Sequence, residues 1–409
     1  MQPGRLRIAF ATPEYVTEQH FDGGLANYIH RAAKLLADLG HDVHVVTLSL
    51  TNEAEFESDG VSIHRVMRQR GWDLLNQVSR YRLTSTLHWL SIATRIYRKL
   101  KHLHKQKQFQ LIQYPNYSSC GLVSIPLLRT THVIRASSYQ PDWNEIAGLD
   151  RNLDCWLSEQ LEALQYKLTR NVFAPSNTMR DVLTQKARVA NVTVIRTPFY
   201  LELEDWDYSV YDQFLQAKQY ALYFGRFQEH KGFHILAQAL PAFLKQNPEA
   251  YAVVVGRDMS TSSVASMAAF ARQQCKDFAE RLLVFENFPH AQLYPIISGA
   301  RFVVLPSLMD NSPNTCLEAM GLGKVVIGTI GASFEEVITD GYNGFLVPSN
   351  NVDALARKMN AAWIDPNLET IAVAAKQKAL EFAPAKTVPA LLTYYSNLLN
   401  GHSNAHPEN

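Results

Sequence analysis

Cysteine is scarce in this chain, long apolar runs are missing, and the net charge is close to zero. Four cysteines, Cys120, Cys155, Cys275 and Cys316, stand far apart. Their spacing suits neither metal ligands nor a redox pair, so reduced thiols are expected. No stretch approaches the roughly 18 apolar residues that span a bilayer. The opening MQPGRLRIAFATPEY runs into a strand pattern without the apolar core and cleavage site of a signal peptide, and a cytoplasmic protein is the expectation. Compact motifs are missing too: there is no Walker P-loop, no HExxH and no complete G-x-G-x-x-G. The glycines at 23–24 and the segment Gly256-Arg257-Asp258 supply only parts of that fingerprint, which counts against a nicotinamide-binding dehydrogenase.

The formal charge of +1 hides an asymmetry. Residues 1–200 hold 24 Lys and Arg against 17 Asp and Glu, and residues 201–409 hold 15 against 21. Basicity peaks in 61–135, where Asp73 alone opposes 13 cations. There Arg95, Arg98, Lys99, Lys101, Lys105 and Lys107 accompany Leu83, Leu87, Leu90, Ile92, Ile96, Leu100 and Leu103 at near-helical spacing. Such a helix suits an anionic membrane surface or an anionic acceptor, and equally a plain solvated face. Aromatics are not interleaved as stacking platforms, so nucleic acid is not an expected partner.

At 409 residues the chain exceeds one ordinary core, and short apolar runs alternate with helical patterns twice over. Strands are expected at 6–11, 43–48, 61–66, 111–113, 132–135, 172–174 and 192–195. After a break they are expected again at 220–224, 252–255, 282–285, 302–305, 325–327 and 345–347. Helices are expected at 25–39, 84–106, 152–169, 177–186, 233–246, 263–276, 291–298, 314–322, 352–363 and 368–382. The organisation implied is a Rossmann-like domain at 1–200, a linker at 201–217 and a second such domain at 218–385. A helix at 386–400 would cross back to the first domain, and a disordered tail would follow at 401–409. The fold class is α/β, with two doubly wound domains whose facing cleft is the default binding site.

The most informative stretch is 310–324, DNSPNTCLEAMGLGK, after the apolar run Phe302-Val303-Val304-Leu305. A polar loop feeds a helix whose first N–H groups lack intrahelical partners and whose dipole is positive, a ready anion site. Asp310 would stand just before it and Glu318 a little over one turn inside, able to reach hydroxyls on either side of a phosphate. A nucleotide sugar has that layout. The same residues also suit ordinary capping, with Asn314 or Thr315 as the N-cap. The loop 225–232, GRFQEHKG, places Arg226 and Lys231 between glycines beyond a strand, as a diphosphate clamp or as a surface turn with two solvated cations.

In order, Gly23-Gly24, Ala174-Pro175-Ser176, Gly225-Arg226 with Lys231-Gly232, Asp310 with Glu318-Ala319-Met320 and Gly323, and 341–345 resemble glycosyltransferase family 4 over essentially the whole chain. These are retaining enzymes of the GT-B fold. The resemblance implies that Arg226 and Lys231 hold the donor diphosphate and take part in catalysis with Asp310, which would accept from hydroxyls of the transferred sugar. Glu318 would accept from the ribose, and N–H groups around Asn314 and Thr315 would assist the phosphate. Gly23, Gly24, Gly225, Gly256 and Asn311 complete the implied donor site, and Arg135, Ser137 and Tyr139 are the implied sugar or acceptor contacts. The donor implied is a UDP-sugar such as UDP-glucose, with no cofactor and no metal. The acceptor implied is a glycan or lipid-linked hydroxyl in polysaccharide or cell-envelope synthesis, with the enzyme cytoplasmic and peripheral on the inner face of the membrane.

Two positions depart from the family pattern. Asp310 stands where Glu is usual, and Ser137 where many members place His. A hydroxyl is a poor general base at neutral pH, so the leaving phosphate oxygen is expected to take the acceptor proton. The competing readings are a GT-B epimerase of UDP-sugars, a catalytically silent homologue, and a basic nucleic-acid module.

Overall fold

Apolar runs become strands here because each is buried on both faces. Along β9 (Gln219–Phe224), Tyr220, Leu222 and Phe224 enter one hydrophobic cluster while Ala221 and Tyr223 enter another. Along β1 (Arg7–Thr12), Ile8 and Phe10 face one cluster and Ala9 and Ala11 the opposite one. Alternation across a sheet covered by helices explains why these strands read as unbroken apolar stretches. Each fully buried Phe or Leu contributes roughly 1.5–3 kcal/mol.

The computed structural model describes residues 4–401 except 19–22, 68–76, 147, 150, 202–204, 260–263 and 312, with only the backbone of Ile146. Phe21 and Asp22 of the first glycine loop, part of the basic stretch, and the tail beyond Gly401 therefore lie outside the described residues. The chain divides into two units, Met1–Pro198 with Pro384–Asn409, and Phe199–Ala383.

The first unit holds an eight-stranded sheet built from β1, β2 (Asp42–Ser49), β3 (Ala54–Ser58), β4 (Val61–Met67), β5 (Leu111–Pro115), β6 (Thr131–Arg135), β7 (Val172–Ala174) and β8 (Thr193–Val194), in the order β3-β4-β2-β1-β5-β6-β7-β8. All pairings are parallel except β3 with β4. Strand β3 has no counterpart among the expected strands: it is an acidic edge strand, and its AEFES lacks the apolar run that marks the others. The helix Thr84–Lys107 has no side-chain cap from its own N-cap residue. Asp154, at the start of the helix Leu153–Thr169, caps it instead by accepting from the N–H groups of Ser85 and Thr86, both at 2.8 Å. The terminal helix Pro384–Leu399 adds Val388, Leu391, Tyr394 and Tyr395 to a core shared with Tyr28 and Leu36.

The second unit is a six-stranded, wholly parallel sheet of β9, β10 (Ala250–Val255), β11 (Leu282–Phe285), β12 (Phe302–Leu305), β13 (Val326–Thr329) and β14 (Phe345–Val347). Its order is β11-β10-β9-β12-β13-β14. The helix expected at 263–276 is shorter, Met267–Gln274, because the Ser266 hydroxyl caps it by accepting from Ala269 N–H at 2.9 Å. Both units are doubly wound α/β layers. Among the described residues no helix is long and apolar enough to cross a membrane.

One buried pair makes the first unit sensitive to acid. His44 on β2 and His64 on β4 stack with ring centroids 5.2 Å apart, and Nδ1 of one lies 2.9 Å from Nε2 of the other. Burial lowers both pKa values, that of His64 to about 4. The folded state therefore binds fewer protons than the unfolded chain below an ordinary histidine pKa near 6.5. Stability from this pair is complete above about pH 6.5 and declines as pH falls toward 4. Melting curves from pH 7.5 to 4.5 should show the melting temperature falling across that window, and His64→Gln should flatten the fall; parallel curves for the two proteins would contradict the assignment.

Candidate active site

In the second unit the chain runs from β9 outward through β10 and β11, then returns to β12 on the other side of β9. Strand order reverses between β9 and β12, and ligands of such sheets bind beyond the strand carboxyl ends at that reversal. Loop 225–232 leaves β9 there and loop 306–313 leaves β12 beside it.

The two loops are fixed to each other by backbone contacts. Gly232 lies in the left-handed region at φ +66, and a Cβ on it would stand 1.7 Å from the Pro306 carbonyl oxygen. The carbonyl of His230 accepts from the N–H groups of Leu308 at 2.9 Å and Met309 at 3.3 Å. The Thr329 hydroxyl donates to the Ser307 carbonyl, which ties loop 306–313 to β13. Under the first loop, Tyr223 OH donates to the Arg226 carbonyl at 2.7 Å, and Phe227 stacks on Phe233 with centroids 4.3 Å apart. Gly256, on the loop after β10, stands against Gly225: a Cβ on it would reach the Gly225 carbonyl oxygen at 1.8 Å.

These contacts bring Lys231 Nζ to 2.7 Å from Asp310 Oδ2, with the aspartate side chain only 9% exposed and the lysine 27%. His230 is neutral beside them, its pKa pushed to about 3 by burial and then by the charges of Lys231 and Arg226. Arg226 and Asp310 both act electrostatically on Tyr223 and on His230, so they share this corner. Burial, with Asp310 nearby, keeps the Cys316 thiol protonated.

The helix Asn314–Gly321 starts one residue earlier than a capping role for Asn314 or Thr315 requires. Asn314 is already helical and Pro313 holds the N-cap position, where its own side chain makes no capping hydrogen bond. Proline there has no hydroxyl or carboxylate to offer, so the plain capping reading is corrected. Among the described residues Asn314 Oδ1 is buried without a hydrogen-bond partner. Asn311 and Thr315 are partly buried beside it. Glu318 is 8% exposed inside the helix, and His290 Nε2 lies 4.0 Å from its Oε1. The arrangement is a cationic loop, a carboxylate paired to it, and the N-terminal end of a helix. Chemically that is an anion receptor with a hydroxyl acceptor at its edge.

The remaining expected site residues belong to the first unit. Gly23 precedes the helix Gly24–Asp38 in ordinary extended backbone, and a Cβ added to it would meet nothing within 4 Å, so sterics do not require glycine there. Arg135 is 3% exposed: its guanidinium lies 3.7 Å over the Tyr28 ring and donates to Thr197 Oγ1 at 2.9 Å. It is thus enclosed in the unit's core rather than presented to a ligand. Ser137 and Tyr139 follow β6 and are partly buried. Among the described residues no three His, Cys, Asp or Glu side chains gather as a metal ligand set. His230 and His290 were not among the expected site residues, since neither belongs to a periodic pattern, and His290 is distant in sequence from the Glu318 it approaches.

Residues 22–203 match the family described as Glycosyltransferase Family 4, and residues 212–379 match Glycosyl transferases group 1. The chain belongs to glycosyltransferase family 4. This family 4 chain is similar to the glycogen synthase of Mycobacterium tuberculosis, with 22% identity over 84% of this chain and 83% of the relative. It is also similar to an uncharacterised glycosyltransferase of Methanocaldococcus jannaschii, with 24% identity over 86% and 87%. Among solved structures, sucrose-phosphate synthase from Thermosynechococcus elongatus superposes with a TM-score of 0.77 at 18% identity, covering 97% of this chain and 100% of that one. Anabaena HepE, solved with UDP and glucose, gives 0.71 at 17% identity over 96% and 100%. These likenesses establish the GT-B fold of the family 4 chain.

The tight approach at Gly232 yields a stability prediction. Gly232→Ala should cost on the order of 3 kcal/mol, from left-handed backbone strain and a displaced Pro306 carbonyl. Denaturant unfolding measures it, and wild-type stability in the variant would rule out the close contact.

Proposed function

We propose that this glycosyltransferase moves a hexose from UDP, with retained anomeric configuration, to a hydroxyl of a glycan or lipid-linked acceptor in polysaccharide or cell-envelope synthesis. The observation that carries the donor side is the Lys231–Asp310 pair at 2.7 Å, just before the start of the helix Asn314–Gly321. As the anomeric carbon gains positive charge, the leaving diphosphate gains negative charge, and Arg226, Lys231 and the helix dipole stabilise it. The N–H groups of Asn314 and Thr315, with Asn311 at the loop, hold phosphate oxygens. Asp310 accepts from hydroxyls of the transferred sugar, and Glu318 accepts from the ribose, with His290 beside it.

Protein cations in this reading do the work that a divalent ion does elsewhere, so transfer is metal-independent. The leaving phosphate oxygen takes the acceptor proton. UDP as the nucleotide is supported by the similar fold of Anabaena HepE, solved with UDP-glucose. On the helix Thr84–Lys107, Arg98, Lys101, Lys105 and Lys107 are exposed, a positive stripe suited to the anionic inner face of a membrane.

Thermal-shift measurements with UDP-, GDP- and ADP-sugars identify the donor, because a ligand that binds only the native state raises the melting temperature. The expected result is a shift with a UDP-sugar; no shift with any of the three would defeat the reading. Lys231→Ala and Arg226→Ala should each lower kcat by roughly 10²–10³-fold, and a chelator should leave turnover unchanged. Activity lost in chelator and restored by magnesium or manganese would show that a metal carries the leaving-group charge. UDP-sugar incubated alone and recovered as its epimer would favour epimerisation over transfer.

A further inference from the structure

Beneath the loop that carries Ser137, a carboxyl group is buried that the transfer chemistry does not use. Glu162, on the helix Leu153–Thr169, is 2% exposed. Its Oε1 accepts from Asn116 Nδ2 at 2.6 Å and from Tyr166 OH at 2.8 Å, and its Oε2 accepts from the Gln140 N–H at 3.0 Å. Asn116 follows β5 and is itself 1% exposed. The same Nδ2 donates to the Ser138 carbonyl at 2.9 Å and the Ser138 hydroxyl at 3.1 Å, while Oδ1 accepts from the Ser137 N–H at 3.0 Å. One carboxylate thereby dictates which way the Asn116 amide points, and that amide clamps Ser137 and Ser138 on both sides. The neighbouring Gln165 fixes the other end of the β5 loop, accepting from the Gly121 N–H at 2.7 Å and donating to the Pro115 carbonyl at 3.2 Å.

We propose that Glu162 is a positioning residue that, as the carboxylate, locks residues 137–140 through Asn116 and the Gln140 amide, and that its protonation loosens them. Two of its three partners, Asn116 Nδ2 and Gln140 N–H, can only donate. Only Tyr166 can reverse its role. Protonation therefore turns charge-assisted bonds from Asn116 and Gln140 into neutral ones, which are roughly half as strong. The charged and titratable surroundings suit a change near neutrality. Tyr166 and Glu159 lie on its own helix, and Tyr139 and Asp142 lie on the segment above, where Asp142 pairs with Lys186 at 2.8 Å. On the long helix packed against its own, Arg95 bonds the Met67 carbonyl and Lys99 pairs with Glu55. Burial, the largest influence, raises the Glu162 pKa to about 7, against the lowering effect of its three donors.

The test is amide hydrogen exchange of residues 136–143 in the full chain between pH 8 and 5.5, corrected for intrinsic rates and referenced to β1. Wild-type protection should fall by about tenfold with a midpoint near neutrality. In Glu162→Gln the protection should be low at pH 8 and insensitive to pH. Tyr166→Phe removes a donor to the carboxylate and should move the midpoint upward; this variant decides the matter if Glu162→Gln does not fold. Unchanged wild-type protection across the range, or wild-type behaviour in both variants, would overturn the proposal. A kinetic arm rests on the transferase reading: kcat at saturating donor should fall with the same midpoint while the UDP-sugar thermal shift stays constant. Absent turnover with a pH-dependent exchange step would count against the transferase reading and leave this assignment standing, so the two failures are distinguishable.

Discussion

The second unit depends on one place where two backbones leave no room for a side chain. At Gly232 a single added carbon would meet the Pro306 carbonyl. Because that position is empty, the loop after β9 can approach the loop after β12, and the His230 carbonyl receives both Leu308 and Met309 N–H groups. The ion pair of Lys231 with Asp310 follows from this backbone arrangement. Side chains alone would not secure it, since two flexible groups lose rotamer freedom on pairing and a partly buried pair gains little net energy. Rigid loops supply that order in advance. The same logic governs Gly256, whose contact with the Gly225 carbonyl sets where the clamp loop leaves the sheet.

Electrostatics at this corner are biased toward an anion. Burial first, and then the charges of Lys231 and Arg226, keep His230 uncharged. The helix Asn314–Gly321 begins after a proline whose side chain cannot cap it, and its dipole is positive at that end. Asp310 offsets part of that charge and is held by Lys231 at 2.7 Å. The first unit organises its loops differently, with a buried polar web of Asn116, Glu162, Gln165 and Tyr166 in place of glycine contacts. Every partner there is satisfied, which is why a carboxyl can remain inside a protein core.

Much of the molecule was legible in the linear chain. Strands β1, β2, β4, β7, β11 and β14 fell where apolar runs put them, because burial on both faces demands such runs, and most of the longer helices fell where helical periodicity put them, while Ser124–Leu127 and Gln140–Ile146 were not expected. Strand β3 is half-solvated and acidic, so it carries no apolar signature. Arg135 was an implied ligand contact through the family resemblance, and Tyr28 and Thr197 enclose it. Asn314 looked like a cap because its type favours caps, yet the chain had already turned helical.

The sequence by itself determined the α/β class, the repeated doubly wound pattern, the family, and the loops that hold Arg226, Lys231, Asp310 and Glu318. Those are local properties, written in the spacing of apolar residues and in short motifs. Only the tertiary structure decided that β12 pairs with β9, that Lys231 meets Asp310 across 79 positions, that His290 approaches Glu318, and that Glu162 controls Asn116. Strand order and the packing of distant side chains arise from the whole buried surface. No single stretch of residues encodes them.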